Sequence, residues 1–104
     1  MGYVYLIYDD NNDVYKIGVT RNKDSKRIKQ LQTGNSCELQ ILYMHNTPYP
    51  FRLETMLHNH YINSLVHGEW YKDVDIGNFK KKCEEFDSYI ITLKDNPFFS
   101  KGLK

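Results

Sequence analysis

Tyr3-Val4-Tyr5-Leu6-Ile7 and, a short acidic stretch later, Tyr15-Lys16-Ile17-Gly18 are two β-strand segments so close together that the chain must turn back on itself between them. The turn is Asp9-Asp10-Asn11-Asn12-Asp13, a run of residues that favour turns over regular structure. Side chains alternate between faces along a strand. Tyr3, Tyr5 and Ile7 therefore share one face, and Val4, Leu6 and Tyr8 the other. On the second strand Lys16 and Gly18 oppose Tyr15, Ile17 and Val19. A small hairpin with a phenol-and-amine face points toward a site. Tyrosine is also a good strand former that is often half-buried, and the hairpin alone leaves both readings standing.

The 104 residues suit one domain with a modest core. No apolar run approaches the roughly 20 residues of a membrane span, and the first residues enter a strand without a signal-peptide pattern. These features predict an intracellular, cytoplasmic protein with no membrane partner. Cys37 and Cys83 have no CxxC spacing, so two reduced, packed thiols are expected. Alanine is absent and lysine outnumbers arginine, which we read as codon bias from an AT-rich genome such as that of a virus or phage. Net charge is only +1, yet Lys16, Arg21, Lys23, Lys26, Arg27 and Lys29 fall in one stretch. A local basic patch sets phosphate affinity more than global charge does. Most lysine clusters are simply solvated helix faces.

Further along, Asp24 or Ser25 can cap a helix running through Arg27, Ile28 and Leu31 to Thr33, stopped by Gly34. Cys37 to His45 has strand composition. Pro50 suits a first helical position, and Phe51 to Ser64 reads as a helix with Leu53, Met56, Leu57 and Tyr61 inward. His67-Gly68 breaks the chain before Glu69-Trp70-Tyr71. A final helix from about Asp75 to Leu93 carries Phe79, Cys83, Phe86 and Ile90 at helical spacing, and Asn96-Pro97 ends it. The order is β-β-α-β-α-α, an α+β fold. We divide it into a core over 1–74, a C-terminal packing helix of the same domain over 75–95, and a tail over 96–104. Trp70 reads either as a base-stacking platform or, preferably, as an anchor for its loop. Lys80-Lys81-Lys82 is expected to face solvent.

Glu54 is the leading candidate acid, with His58 one turn later on the same helix face. Such a pair can reach one divalent ion or a phosphate-bound water. The bland alternatives are a dipole partner for the helix and a packed histidine. Tyr5, Lys16, Arg27 and Glu54 together match what phosphodiester hydrolysis requires. A carboxylate holds a metal, a cation holds a phosphate oxygen, and a phenol beside a cation can orient or deprotonate water.

These residues carry a resemblance. Gly2-Tyr3-Val4-Tyr5-Leu6, Tyr15-Lys16-Ile17-Gly18, the run from Arg27 to Asn35, Leu53-Glu54 with Leu57-His58, and Gly68-Glu69-Trp70-Tyr71 resemble, in that order, the GIY-YIG nuclease superfamily. The likeness is closest to its T5orf172-type branch of phages and large DNA viruses, and covers Gly2 to Tyr71. It implies a three-stranded antiparallel sheet flanked by helices, with a metal-dependent DNA endonuclease site on one face. By position, Tyr5 would activate or place water, Arg27 would bind phosphate, and Glu54 would ligate a single Mg2+ or Mn2+. Arg21, Lys23, Lys26 and Lys29 would add DNA contacts. Lys16 stands where the wider superfamily has its second tyrosine, and Leu31 where it has a histidine, for which His58 and His45 are candidate substitutes. Glu69, Asn63 and Asn78 are candidates for its late asparagine.

Two other readings follow from the departures. One is a DNA-binding module of the same fold without turnover. The other is a protein-interaction domain using the C-terminal helix, which predicts oligomerisation and no divalent-metal binding. With no second DNA-reading domain evident, sequence specificity would be low, or would come from a homodimer or from a protein partner.

Overall fold

The computed structural model describes residues 1–22 and 39–93. The expected hairpin is present. Strand β1 (Gly2–Asp9) pairs antiparallel with β2 (Val14–Thr20), placing Tyr5 opposite Gly18 and Ile7 opposite Lys16. Asp9 organises the turn: its carboxylate accepts hydrogen bonds from the backbone N–H groups of Asn11 (3.0 Å) and Asn12 (3.3 Å) and from the Asn12 side chain (2.8 Å). Asp13 closes it in the left-handed region (φ 53°), which Asp tolerates better than most residues.

Strand β3 (Leu39–Thr47) lies antiparallel on the other side of β1, with a register shift between Leu6 and Ile7. Helix α1 (Pro50–His60) follows, then a 3-10 turn at Ile62–Ser64. The helix is shorter than the expected Phe51–Ser64. Tyr61 leaves helical geometry (φ −98°, ψ 13°), and Ser64 N–H bonds to the Tyr61 carbonyl at 2.8 Å, tightening the chain into the 3-10 turn. Strands β4 (Leu65–His67) and β5 (Trp70–Tyr71) form a small hairpin that docks on β2. Among the described residues the sheet is therefore five-stranded, ordered β3-β1-β2-β5-β4. The expected three strands form one side of it, with β3 at the edge, and the β4–β5 pair widens it beyond β2. Helix α2 (Ile76–Leu93) completes the α+β fold. Its first turn is capped by Asp75, whose carboxylate accepts the Asn78 N–H at 2.8 Å. The helix expected around Arg27 lies outside the described residues, as does Cys37.

Both described helices pack on one sheet face. Val4, Leu6 and Ile17 from the sheet, Leu53 and Leu57 from α1, and Phe79, Cys83 and Ile90 from α2 form one cluster, each fully buried. Burying each of the leucines is worth up to about 1.5–3 kcal/mol. The opposite face is less polar than its tyrosines and lysine suggested. Tyr5, Ile7 and Leu39 make a second, smaller cluster there, with Ile41, Met44 and Trp70 packed against it. Trp70 thus anchors its segment, as preferred above. A polar network ties α2 to β3: His45 Nε2 donates to Asp87 at 2.7 Å, the Thr47 hydroxyl donates to the same carboxylate at 2.7 Å, and the Tyr43 hydroxyl meets His45 Nδ1 at 3.1 Å. Lys80 and Lys81 are exposed, whereas Lys82 is half-buried and paired with Glu85 at 3.3 Å.

Cys83 is a free, packed thiol, and burial pushes its pKa from 9.0 to about 12. A thiol that is harder to ionise in the folded state supports folding fully below the unfolded pKa of 9.0, and that support is lost as pH rises toward about 12. In that window wild type is expected to lose stability with a contribution of about 1.4 kcal/mol per pH unit from this group. Denaturant unfolding across the alkaline range should show a shallower slope for Cys83→Ala. Parallel slopes would remove Cys83 from the alkaline transition.

Candidate metal centre

The first carboxylate comes from α1. Pro50 opens this helix because its missing N–H costs nothing at the first position, and Leu53 N–H closes the first turn on the Tyr49 carbonyl at 3.0 Å. With Leu53 and Leu57 buried, the neighbouring stripe carrying Glu54 and His58 runs along the edge of the core. Their side chains are 17% and 22% exposed, and His58 Nε2 stands 3.6 Å from the Glu54 carboxylate. Glu54 lies beyond the first turn, which holds no acid, so the helix-dipole explanation for it loses force.

The second carboxylate comes from the hairpin. Gly68 turns the chain in the left-handed region (φ +56°), a conformation glycine adopts without steric cost. Glu69 follows, and its carbonyl accepts the Ile17 N–H at 3.2 Å, tying it to the β2 edge. Donor atoms of Glu54, His58 and Glu69 all lie within 4.8 Å of one another. Lys16 reaches this cluster from the sheet. Its Nζ lies 3.3 Å from the Glu69 carboxylate and 5.5 Å from the centre of the Trp70 ring.

Tyr71 supports the cluster from beneath. Its hydroxyl is hydrogen-bonded to His58 Nδ1, leaving Nε2 on the Glu54 side. Burial raises the pKa of this phenol, and the negative charges of Glu69 and Glu54 raise it further. Tyr71 is therefore a neutral hydrogen-bonding group, not a base.

Of the residues singled out in the sequence, Glu54 and His58 are together, and Lys16 joins them through Glu69. Tyr5 is elsewhere. It is fully buried in the second cluster, on the sheet face opposite α1, with its ring over Gly18. Lys16 shares that face, and its contact with Glu69 links the two sides at the β2 edge. Arg21 is exposed just after β2, in a cleft of about 230 Å3 shared with Val19, Thr20, Pro50 and Phe51. Lys23, Lys26, Arg27 and Lys29 lie outside the described residues. His45 is engaged by Asp87 in the β3–α2 network, not in this cluster. Asn78 accepts the Tyr61 hydroxyl at 2.6 Å, and Asn63 is exposed. Sequence reasoning did not identify Glu69 as a member of the carboxylate–imidazole group, nor Tyr71 as the partner of His58. Their signal was the compact Gly68-Glu69-Trp70-Tyr71 motif, whose glycine turn leads into the strand that docks on β2.

An α+β frame with a carboxylate–imidazole–carboxylate cluster between α1 and the turn that leads into β5 defines a domain able to hold a divalent ion. A family model described as the T5orf172 domain matches residues 2–87, and the chain belongs to that family. It is thus a nuclease-like or DNA-binding module. No curated protein and no solved structure matches it. Among the described residues, no helix is long and apolar enough to cross a membrane.

Proposed function

We propose that this chain is a small divalent-metal-dependent endonuclease that hydrolyses DNA phosphodiester bonds. The observation that carries the reading is the convergence of Glu54, His58 and Glu69 within 4.8 Å, in a chain of the T5orf172 family. The donor set fits an ion: two carboxylates supply negative charge, and an imidazole held by Tyr71 supplies a nitrogen. Glu54 is the proposed principal ligand of a single Mg2+ or Mn2+. Such an ion, when bound, supplies Lewis-acid stabilisation of charge on the phosphate.

The remaining steps belong to the protein. Arg27 is proposed to hold a phosphate oxygen through its guanidinium. Lys16, half-buried beside Glu69, adds positive charge where the pentavalent phosphate gathers electrons. His58 would offer the lone pair of Nε2 to the ion, its ring held at Nδ1 by the Tyr71 hydroxyl. Tyr5 is the phenol that the resemblance names for orienting water, and its burial on the opposite sheet face sets it apart from this cluster. Arg21, with Lys23, Lys26 and Lys29, would hold the DNA backbone without reading sequence. Selectivity would then be low, or would come from a second copy or from a protein partner.

The full burial of Tyr5 favours a second reading, a DNA-binding module without turnover. Relaxation of supercoiled plasmid with Mg2+ or Mn2+ separates the two. Wild type is expected to nick the plasmid, and Arg27→Ala to lose about tenfold or more in rate with an unchanged melting temperature. Salt-sensitive DNA binding without any nicking would favour the inactive module. Nicking by Tyr5→Phe at the wild-type rate would reduce Tyr5 to a core residue.

A further inference from the structure

We propose that Glu54, His58 and Glu69 form one three-ligand site, a nitrogen and two carboxylates, that selects a borderline transition-metal dication such as Mn2+ over Mg2+. This rests on reading the cluster as a divalent-metal centre, and adds the class of ion that its donor set selects.

Three observations converge on it. Glu54 and His58 stand at i and i+4 on α1, so one helix turn presents an oxygen and a nitrogen side by side. Glu69 arrives from a different element, held by the Ile17 N–H to its own carbonyl and by the left-handed turn at Gly68. Tyr71 occupies the other ring nitrogen of His58. In the tautomer that binds an ion, Nδ1–H donates to the Tyr71 oxygen and Nε2 carries the lone pair on the Glu54 side. An oxygen partner on the non-ligating nitrogen is the usual arrangement around a metal-bound histidine. Donor atoms bound to one ion at about 2.1 Å stand roughly 3–4.2 Å apart. The present separations, all within 4.8 Å, lie close to that range.

The donor set decides the ion. Mg2+ favours an octahedron of oxygens and keeps most of its water. A neutral imidazole is a better ligand for first-row transition metals, and two carboxylates keep the site hard enough for Mn2+. Lys16 presents a single positive charge to Glu69 at 3.3 Å, so an arriving dication competes with an ammonium already in contact. An ion that gains a nitrogen ligand overcomes that competition more readily than one that does not.

The test is calorimetric titration of the metal-free full chain with Mn2+ and with Mg2+, joined to pulsed electron paramagnetic resonance of the Mn2+ form. One Mn2+ per chain is expected, bound about tenfold or more tighter than Mg2+, with modulation from one imidazole nitrogen. Glu69→Gln should weaken Mn2+ binding about tenfold or more, and His58→Gln should remove the nitrogen signal. Circular dichroism of each variant checks that it is folded. Equal affinities for the two ions, no nitrogen coupling in wild type, or wild-type Mn2+ affinity in a folded Glu69→Gln would each overturn the proposal. Mn2+ bound through nitrogen with no plasmid cleavage would uphold this site and remove the endonuclease reading. Mg2+-supported cleavage without nitrogen coupling would do the reverse.

Discussion

Glu54→Gln should abolish metal-dependent plasmid cleavage while leaving the melting temperature within a few degrees of wild type. The side chain is 17% exposed and contacts His58 at 3.6 Å along the helix. Glutamine keeps its volume and one acceptor oxygen, so the packing of Leu53 and Leu57 beside it is undisturbed. What is lost is the negative charge that anchors the ion. Metal stabilisation of a developing phosphorane charge is worth several kcal/mol, and each 1.36 kcal/mol is a factor of ten in rate. A drop of about a thousandfold or more is therefore expected. Rates of supercoil loss for the two proteins, alongside their thermal melts, measure it directly. A variant that cuts as fast as wild type would remove Glu54 from the chemistry. One that fails to fold would recast it as a structural residue.

The second large effect is on stability. Gly18→Ala is expected to lower the unfolding free energy by about 1–3 kcal/mol. Tyr5 and Gly18 face each other across the β1–β2 ladder, and the Tyr5 ring lies directly over the glycine. A Cβ at Gly18 would come closer than 3.0 Å to the hydroxyl and two ring carbons of Tyr5. A tyrosine at a surface would swing aside. This one is fully buried among Ile7, Leu39, Ile41 and Met44, so the strain falls on the sheet. For a domain of this size the loss corresponds to a melting temperature lower by roughly 4–8 °C per kcal/mol. In a Tyr5→Ala background the same glycine substitution should cost almost nothing, because the ring that it strikes is gone. Equal penalties in both backgrounds would place the strain somewhere other than this contact.

Much of the frame was legible in the chain because it follows local rules. Alternation in the first two strands assigned Tyr5, Lys16 and Gly18 to one face, and the ladder pairs them as expected. Phe79, Cys83 and Ile90 at helical spacing are all fully buried. The acid and the imidazole on α1 were recognisable as a pair from a spacing of four. The short strands were not. A strand of three residues or two shows no periodicity, so Leu65–His67 and Trp70–Tyr71 read as loop. The apolar character of the Tyr5 face was also missed, because it depends on β3 crossing to the far side of β1.

By itself the sequence determined the elements whose signal is local: the hairpin, the two described helices, the stop at Gly68, and the ordered motifs that make this a T5orf172 domain. Only the tertiary structure decided which charged groups meet. Glu69 follows Glu54 by 15 residues, across the rest of α1, the 3-10 turn and strand β4, and no spacing rule relates them. They meet because β5 docks on β2, which brings Glu69 against Lys16 and the exposed edge of α1. The same packing separates Tyr5 from Glu54, since α1 covers one face of the sheet and Tyr5 is buried in the other. Side-chain periodicity states which residues share a face of one element. Which faces are brought together depends on burying apolar area across the whole domain, and that is a property of no single segment.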